Sequence, residues 1–296
     1  MTSTGKQRYF CPDCRKTYTW RCKINKLHQE RVWFELWLKE GYSLRQLTGQ
    51  SGWSQSKLKR LKTYWLAQEP STTKVNLSEY QNLIFDGTYF HHDCCLLVFY
   101  VQGKVIAYRY GIKEDYLLSV KWFRELKKAG LLPVSITMDG NTQIIRAIKE
   151  TWPNCVVQRC LYHIKHQGEK WLRRYPRTDL AKDLKKVLSS LCSIRTVQDK
   201  EQFIISFTCW LVYYQTQIKL LRSKDKVESD IIRGYRLVQN ALPDMFHYLD
   251  NPAISKTSNG LEGYFSHLKK HYRQHAGLTA NHLQNYLSWY IYFTNT

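Results

Sequence analysis

The sequence has no long apolar run of the kind that anchors or exports a protein. No stretch of the chain approaches the roughly 18 apolar residues needed to cross a bilayer. The most apolar stretch, LIFDGTYFHHDCCLLVFYV, is interrupted by Asp86, His91, His92 and Asp93. The chain opens MTSTGKQRYF, without the apolar core of a signal peptide. We therefore expect a soluble cytoplasmic protein with no membrane partner, whose nine cysteines stay reduced.

Acidic residues are scarce beside basic ones. The chain has 24 Asp and Glu against 45 Lys and Arg, which gives a net charge of +21 and a pI near 9.6. Nucleic acid is the first candidate partner, because each neutralised phosphate releases counterions. A membrane surface is second, and composition alone would also fit a ribosome-associated protein. Residues 79–163 carry only +2 between basic flanks of +10 and +7, as expected where an acidic site lies among DNA-binding surfaces.

The first 26 residues contain a cysteine pair, Cys11 and Cys14, in YFCPDC. Two thiolates at this spacing suit a zinc knuckle. No second pair follows, and although Cys22 and His28 could complete a four-ligand Zn²⁺ site, their spacings match no common module closely. Residues 1–26 are therefore interpreted as a partial zinc-ribbon-like segment, with two free thiols as the favoured reading.

Residues 27–68 predict a helix-turn-helix domain. Helices are expected in RVWFELWLKEG, in SLRQLTGQ and from Ser54 onward, with Gly49 and Gly52 in the turn and Ser54 as the N-cap. An apolar stripe of the third helix is formed by Leu58, Leu61 and Trp65. Its opposite face carries Lys57, Lys59, Arg60 and Lys62. Such a face is often merely solvated, but the turn and the local charge favour DNA contact. Residues 69–79 read as a polar linker.

Residues 80–163 change to a β-period. Three strands are predicted in NLIFDGTYF, CLLVFYVQG and KVIAYRYGI, with QGK as a hairpin turn. A helix through DYLLSVKWFRELKKAG, a strand in PVSITMDG, a helix in NTQIIRAIKETW and a strand in CVVQRC follow. The order βββαβαβ is that of an RNase H-like α/β domain. Residues 164–256 predict an all-helical insertion, and residues 257–296 the last part of the catalytic core, including a helix through LEGYFSHLKKHYRQH.

Two carboxylates occupy unusual positions in the predicted strands. Asp86 lies inside the apolar LIFDGTY, where an unpaired charge is costly, and Asp139 ends VSITMDG. The first and fourth strands of an RNase H-like sheet are neighbours, so these carboxylates should meet and require a metal. Carboxylate oxygens suit two Mg²⁺ or Mn²⁺ ions. Glu262, the only acidic residue of the last forty, begins a helix and is the candidate third ligand, although helix-dipole stabilisation would explain it too.

The segments FDGTYF, TMDGN, QRCLYHIKH and SNGLEGYFSHLK resemble those of the Mutator-like group of insertion-sequence DDE transposases, over about residues 80–275. The resemblance implies an RNase H-like core with a helical insertion, and catalytic positions at Asp86, Asp139 and Glu262. Cys160 and His163 correspond to the family's CxxH element. Related transposases often open with a fuller zinc ribbon, whereas this chain begins at what resembles the ribbon's second half.

Auxiliary positions surround these motifs. Read alone, Cys160 and His163 could be half a metal site, a packed pair or a substrate contact, and a structural or DNA-positioning role is favoured. Lys269 lies two turns along the helix from Glu262 and could reach a DNA phosphate. Asn259 and His267 are weaker companions, because a lone helical histidine is more often structural.

These observations predict a metal-dependent transposase. It would bind the terminal inverted repeats of its element, cleave double-stranded DNA and join the freed 3′-hydroxyl to target DNA as at least a homodimer, close to a bacterial or archaeal nucleoid. A nuclease that cuts without joining and a DNA-binding regulator derived from a transposase are the alternatives. The presence of all three carboxylates argues against the regulator.

Overall fold

The computed structural model describes residues 7–18, 23–71, 75–275 and 277–295. Within these ranges the chain forms two compact units. The N-terminal unit contains residues up to Ser71 together with Lys269–Thr294. The sheet unit contains the residues from there to Leu268, together with Asn295. Across the described ranges, no helix combines the length and the apolar character needed to cross a membrane.

The N-terminal unit begins with a small antiparallel hairpin and continues with helices. Strands β1 (Tyr9–Phe10) and β2 (Thr17–Tyr18) pair, and helices α1 (Lys23–Glu40), α2 (Leu44–Ser51) and α3 (Gln55–Leu66) follow. The three helices predicted from the sequence are confirmed, with α1 beginning earlier than expected.

The helix ends of this unit follow from their capping residues. Ser54 Oγ accepts a hydrogen bond from Lys57 N at 3.3 Å, which confirms Ser54 as the N-cap of α3. Gly52 ends α2 in the left-handed conformation, with φ of 67°, a geometry that favours glycine. The placement of Gly49 in the turn is wrong. The capping box at Ser43 starts α2 early, and its hydrogen-bond ladder runs past Gly49 to Ser51.

The last helix, α13 (Ala280–Asn295), contributes an aromatic stripe to the N-terminal unit. Tyr286 is completely buried, and the Trp289 indole donates to Trp65 O at 3.0 Å and Gln68 O at 2.8 Å. Phe34 stacks on Trp65 with ring centroids 5.9 Å apart. The aromatic rings of this helix are therefore buried with the indole donor of Trp289 satisfied.

The sheet unit contains the predicted alternation of strands and helices. Its elements are β3 (Asn82–Phe90), β4 (Cys94–Val101), β5 (Lys104–Gly111), α4 (Tyr116–Lys128), β6 (Ser135–Met138), α5 (Thr142–Thr151) and β7 (Val156–Arg159). The QGK turn between β4 and β5 has positive φ at Gln102 (46°) and Gly103 (91°), which matches the twist of a tight hairpin. A 3₁₀ turn, Leu77–Glu79, precedes β3.

The five strands form one mixed sheet in the order β5-β4-β3-β6-β7. The first three are antiparallel in sequence order, while β6 and β7 run parallel to β3. The expected adjacency of the first and fourth strands is therefore present. Because β5 is twice reversed relative to β3, the carboxyl ends of β3, β5, β6 and β7 lie at the same edge of the sheet.

The two faces of the sheet have different partners. On one face, Leu83, Phe85 and Phe99 join a buried core with residues of α4 and α5 such as Phe123 and Ile148. On the other face, Thr137 Oγ1 donates to Ser255 O at 2.6 Å, and Tyr100 packs against Tyr264 with ring centroids 6.0 Å apart. Asp86 alternates with Phe85 along β3, so it belongs to this second face.

A helical segment follows β7, as predicted for residues 164–256. It contains α6 (Leu161–Leu172), α7 (Asp179–Ser189), α8 (Val197–Tyr213), α9 (Gln215–Leu220), α10 (Lys226–Ala241) and α11 (His247–Asp250). These helices share a separate apolar core that includes Leu184, Phe207 and Val238. Buried Gln158 ties this segment to β7, donating to Met245 O at 2.7 Å and accepting from Tyr248 N at 3.3 Å.

Helix α12 (Asn259–Arg273) begins after the irregular residues 251–258, and it contains the helix predicted through LEGYFSHLKKHYRQH. By compactness, residues up to Leu268 group with the sheet and residues from Lys269 group with the N-terminal helices. The grouping of residues 257–296 as one part of the core, and the other proposed domain limits, stay predictions.

Candidate functional site

Asp86 lies on β3, and Asp139 directly follows the adjacent strand β6. In the parallel pairing of β3 with β6, Ile84 lies opposite Thr137. Asp86 lies two residues after Ile84 on β3, and Asp139 lies two residues after Thr137, just past the end of β6. Neighbouring strands are about 4.8 Å apart. Each aspartate lies two residues after a member of the same strand pair, so both side chains belong to the same face of the sheet. The sheet therefore presents the two carboxylates side by side at its carboxyl edge.

The electrostatics of Asp86 reflect this crowding. Burial is the main cause that raises the pKa of Asp86 to about 7, and the negative charges of Asp139 and Glu114 raise it further. His163 and the Gly87 N–H, which donates to Asp86 Oδ1 at 2.8 Å, act in the opposite direction. A bound cation would favour the ionised form of this carboxyl, since it would offset both burial and repulsion.

Asp139 lies in the turn between β6 and α5, where Asn141 fixes it. Asn141 N donates to Asp139 Oδ1 at 3.0 Å, and Asn141 Oδ1 accepts from Gln143 N at 3.1 Å as the N-cap of α5. The same asparagine donates through Nδ2 to Glu114 Oε2 at 3.2 Å. One residue thus holds two carboxylates of the site.

Glu114 is a carboxylate of the site that the sequence reading missed. It follows β5 at the same sheet edge as Asp139. Burial raises the pKa of Glu114, and the charge of Asp139 raises it further. The signal that could have found it is topological, because a strand parallel to β3 ends three residues before it.

Glu262 lies in the first turn of α12, within a compact polar cluster. Its Oε1 accepts from Ser258 Oγ at 3.1 Å and lies 3.6 Å from His163 Nδ1. Ser258 also places its N and Oγ 3.3 Å from Cys160 Sγ. The possible ligand atoms of Cys160, His163 and Glu262 lie within 4.8 Å of one another, and in the described part of the chain no other three His, Cys, Asp or Glu residues do so. Ser258 was not predicted from the sequence.

His163 connects this cluster to the aspartates. The hydrogen bond with Cys160 is the main cause that raises the pKa of His163 to about 9, and the charges of Cys160, Asp86 and Glu262 add to it against the effect of burial. Burial raises the pKa of the Cys160 thiol, but hydrogen bonds from His163 and Ser258 together lower it. An imidazolium at His163 would therefore lie near carboxylates from both β3 and α12. Cys160 and His163, whose role is ambiguous in the sequence, therefore influence the charges within the site.

Arg159, the last residue of β7, is a second group that the sequence reading missed. It is only 8% exposed, and burial lowers its pKa while the charges of Asp139 and Asp244 raise it. Its guanidinium lies where a side chain at Gly140 would otherwise stand. Its Nε has no hydrogen-bond partner among the described residues. Arg159 thus supplies positive charge beside Asp139.

The remaining predicted residues of α12 are not brought to the carboxylates in the same way. Asn259 and His267 are exposed on the helix. Lys269 is half-buried and groups with the N-terminal unit. Their proposed roles stay predictions.

The basic residues of α3 fall into two environments. Lys59 and Arg60 are exposed. Lys57 lies over the Trp53 ring, 3.0 Å from its centroid, and Lys62 lies 5.6 Å from the centroid of Trp37. Burial lowers the pKa of Lys62, and the charge of Lys59 lowers it further. Of the four basic residues, Lys59 and Arg60 are therefore the most exposed, and DNA contact by this helix stays a prediction.

The N-terminal cysteines lie in the connection between β1 and β2. Cys11 and Cys14 are free thiols, and hydrogen bonds from Cys14 lower the pKa of Cys11. His28 is exposed, and Cys22 lies outside the described residues. A Zn²⁺ ion at this pair stays a prediction.

Comparison with known proteins bears on the central part of this arrangement. Residues 102–232 match the family model described as Transposase, Mutator family. The matched stretch contains Asp139, Cys160 and His163, whereas Asp86 and Glu262 lie outside it. No curated protein matches the chain. The family resemblance noted in the sequence is confirmed over the matched residues.

Proposed function

We propose that the chain is a DDE-type transposase that cleaves and joins DNA, because residues 102–232 match the family model of Mutator-family transposases. Its catalytic carboxylates would be Asp86, Asp139 and Glu262. The observation that carries the proposal is the pairing of β3 with β6, which sets Asp86 beside Asp139 at one sheet edge. Burial of Asp86 and repulsion by its neighbouring carboxylates both disfavour its ionised form, and a bound cation would offset both effects.

The fold supports the same proposal. A sheet in the order 3-2-1-4-5 of its own strands, with the first three antiparallel and the last two parallel to the first, is the arrangement expected of an RNase H-like core. The helical segment α6–α11 separates β7 from the Glu262 helix, as the family implies. Glu262 would then be supplied by the first turn of α12. Two residues just before this helix contact the site: Ser255 O accepts from Thr137 Oγ1, and Ser258 Oγ donates to Glu262 Oε1.

The donor set fits Mg²⁺ or Mn²⁺. Carboxylate oxygens are the ligands that these hard cations prefer, and the crowded carboxyls at Asp86 and Glu114 have raised pKa values that a cation would reverse. When bound, two such ions would activate the attacking oxygen and stabilise the leaving oxygen of the phosphodiester. Asp86, Asp139 and Glu262 would hold them.

The protein's own groups have separate tasks in this scheme. Asn141 holds Asp139 in place, and Ser258 holds Glu262. His163, with its pKa raised to about 9, carries positive charge between Asp86 and Glu262 and reduces their repulsion before DNA binds. In the first step water would cleave the strand and leave a 3′-hydroxyl. In the second, that hydroxyl would attack a target phosphodiester and release a new 3′-hydroxyl.

DNA binding would use the basic segments on either side of the nearly neutral core. The α2–α3 pair would act as a helix-turn-helix that meets the terminal inverted repeats through Lys59 and Arg60, with Lys57 and Lys62 partly engaged by tryptophans. The helical segment, with a net charge of +7 over residues 164–256, would bind further phosphates. Bringing two DNA ends together requires at least two copies of the chain.

A joining assay tests the function. The protein is incubated with Mg²⁺, a plasmid and labelled DNA carrying the inverted repeats that flank the gene. A transposase yields labelled DNA joined to the plasmid. Cleaved ends without joined product would indicate a nuclease, and binding without cleavage would indicate a transposase-derived regulator. Asp179→Asn is the matched control, because that carboxylate is 82% exposed on α7.

A further inference from the structure

Helix α8 carries apolar side chains on two opposite sides. Its inner side contributes Phe203, Phe207 and Trp210 to the buried core of the helical segment. On its outer side, Ile205 and Val212 are 55% and 69% exposed. These two residues are about two helical turns apart, so they lie on one face. Because a helix that is apolar on all sides is normally covered on all sides, the outer side of α8 is expected to have a partner.

The outer side contains more than two isolated residues. Ile205, Cys209 and Tyr213 follow one another at a spacing of one helical turn, with Val212 beside them. Tyr213 is 80% exposed, and Cys209 is an exposed free thiol. We call these four residues the outer face of α8. They expose on the order of 500 Å², and a stable interface buries about 800 Å² on each partner. The outer face is therefore large enough to form the centre of an interface.

The outer face lies in a stretch of the chain without charged side chains. Residues 202–218 contain no Asp, Glu, Lys or Arg, although the chain carries a net charge of +21. DNA phosphates are bound mainly by Lys and Arg, so DNA does not fit this face. Depletion of charged residues and enrichment of tyrosine are instead features of the centre of protein–protein interfaces. The class of partner that fits the outer face is therefore another protein molecule.

The charges at the two ends of this stretch favour a second copy of the chain. Glu201 precedes the stretch and Lys219 follows it, and both are exposed. In an antiparallel pair of α8 helices related by a two-fold axis near Cys209, Glu201 of one copy would lie beside Lys219 of the other. Lys200 does not disturb this pattern, because it lies over an aromatic ring of the helical core. The outer face thus complements itself, whereas basic surfaces of two copies repel each other.

We propose that two copies of the chain associate through the outer face of α8, in antiparallel orientation. Val212 and Tyr213 form the apolar centre of this interface, and Glu201 and Lys219 form its polar rim. The choice of a second copy rests in part on the proposed function, because joining two DNA ends requires two copies of the chain. The remaining argument depends only on the exposure and the charge of α8.

The oligomeric state of the full chain without DNA tests the assignment. Light scattering and sedimentation equilibrium give the mass and the dimer Kd of the natural protein, Val212→Glu and the control Leu117→Glu. Leu117 is 74% exposed on α4, outside the outer face. We expect the natural protein and the control to be dimers. Val212→Glu places two like charges at the centre of the interface, so its Kd should rise about a hundredfold or more. Its circular dichroism should stay that of the natural protein, because Val212 is exposed.

Cys209 provides a second measurement that leaves the apolar residues unchanged. A short bismaleimide should join Cys209 of two copies and yield a crosslinked dimer of the natural protein. Cys209→Ser should lose most of this product. The comparison between the two proteins is required because Cys14 is also exposed.

The outcomes separate this inference from the proposed function. A monomeric natural protein, a Val212→Glu dimer of unchanged Kd, or undiminished crosslinking of Cys209→Ser would overturn the interface. If the same natural protein joins DNA in the joining assay, the proposed function stands without it. A dimer that depends on Val212 but joins no DNA would keep the interface and overturn the function. Should Val212→Glu fail to fold, Ile205→Glu on the same face replaces it, with the same expected rise in Kd.

Discussion

Acid is expected to destabilise the N-terminal unit by protonating His275. This histidine is 8% exposed, and its Nε2 lies 2.8 Å from Trp37 O. Because a carbonyl oxygen can only accept, Nε2 carries the proton and donates. Its ring centroid lies 4.1 Å from that of Trp37. Burial lowers the pKa of His275 to about 4 from 6.5, and nearby Lys62 and His271 lower it further, against the effect of the Trp37 hydrogen bond.

The sign of the effect follows from proton linkage. The unfolded chain protonates His275 below pH 6.5, whereas the folded chain resists until about pH 4. Stability from this group is therefore complete above pH 6.5 and is lost as the pH falls toward 4. Between pH 7 and pH 5 the loss amounts to about 2 kcal/mol. Asp86 has a raised pKa and changes in the opposite direction over this range, so a comparison between variants is required.

Hydrogen exchange measured by mass spectrometry can separate the contribution of His275 to stability from that of the other titrating groups. Peptides from α1, α3 and α13 report the opening of the N-terminal unit. His275→Gln retains a side-chain donor for Trp37 O but cannot titrate. At each pH the two proteins share nearly the same intrinsic exchange rates. We expect the natural protein to lose about 2 kcal/mol more protection than the variant between pH 7 and pH 5. Parallel profiles would refute the reasoning.

Three further predictions concern the contacts of single side chains. Gly87→Ala should displace the Glu114 carboxylate, whose Oε1 occupies the place of the new methyl group, and lower the melting temperature, while circular dichroism remains that of the natural protein. Replacing Lys59 and Arg60 together by alanine should weaken binding to terminal-repeat DNA and lower the slope of log affinity against log salt by about 2; an unchanged slope would remove α3 from the DNA interface. Gln158→Leu should reduce the free energy of unfolding by about 2 kcal/mol, because Met245 O and Tyr248 N lose their buried partner; urea denaturation measures it.

The arrangement of the strands was predictable because each carries a strong local signal. Asp86 and Asp139 interrupt or end apolar runs, and the order of strands and helices implies which runs are neighbours. Their adjacency therefore follows from periodicity and topology together. The exposed face of α3 was less predictable. Four basic residues look equivalent in the sequence, and the packing of Lys57 and Lys62 on tryptophans depends on tertiary contacts.

Glu114 and Arg159 could not be assigned from the sequence alone. Glu114 stands beside Asp115 in a polar loop, and no local pattern says which of them caps α4 and which faces Asp139. Arg159 ends a strand that otherwise reads as core, and its proximity to Asp139 arises from the pairing of β7 with β6. Both assignments depend on residues distant in sequence. The CxxH pair was visible as a motif, but its relation to Asp86 and Glu262 required the fold.

Strand transfer by carboxylate variants tests the central claim most directly. Asp86→Asn, Asp139→Asn and Glu262→Gln are compared with Asp179→Asn in the joining assay, and terminal-repeat binding is measured in parallel. We expect each of the first three to lose joining by about a hundredfold or more while binding DNA normally, because charge stabilisation at the reacting phosphate is lost. Full strand transfer by Asp86→Asn would contradict the account.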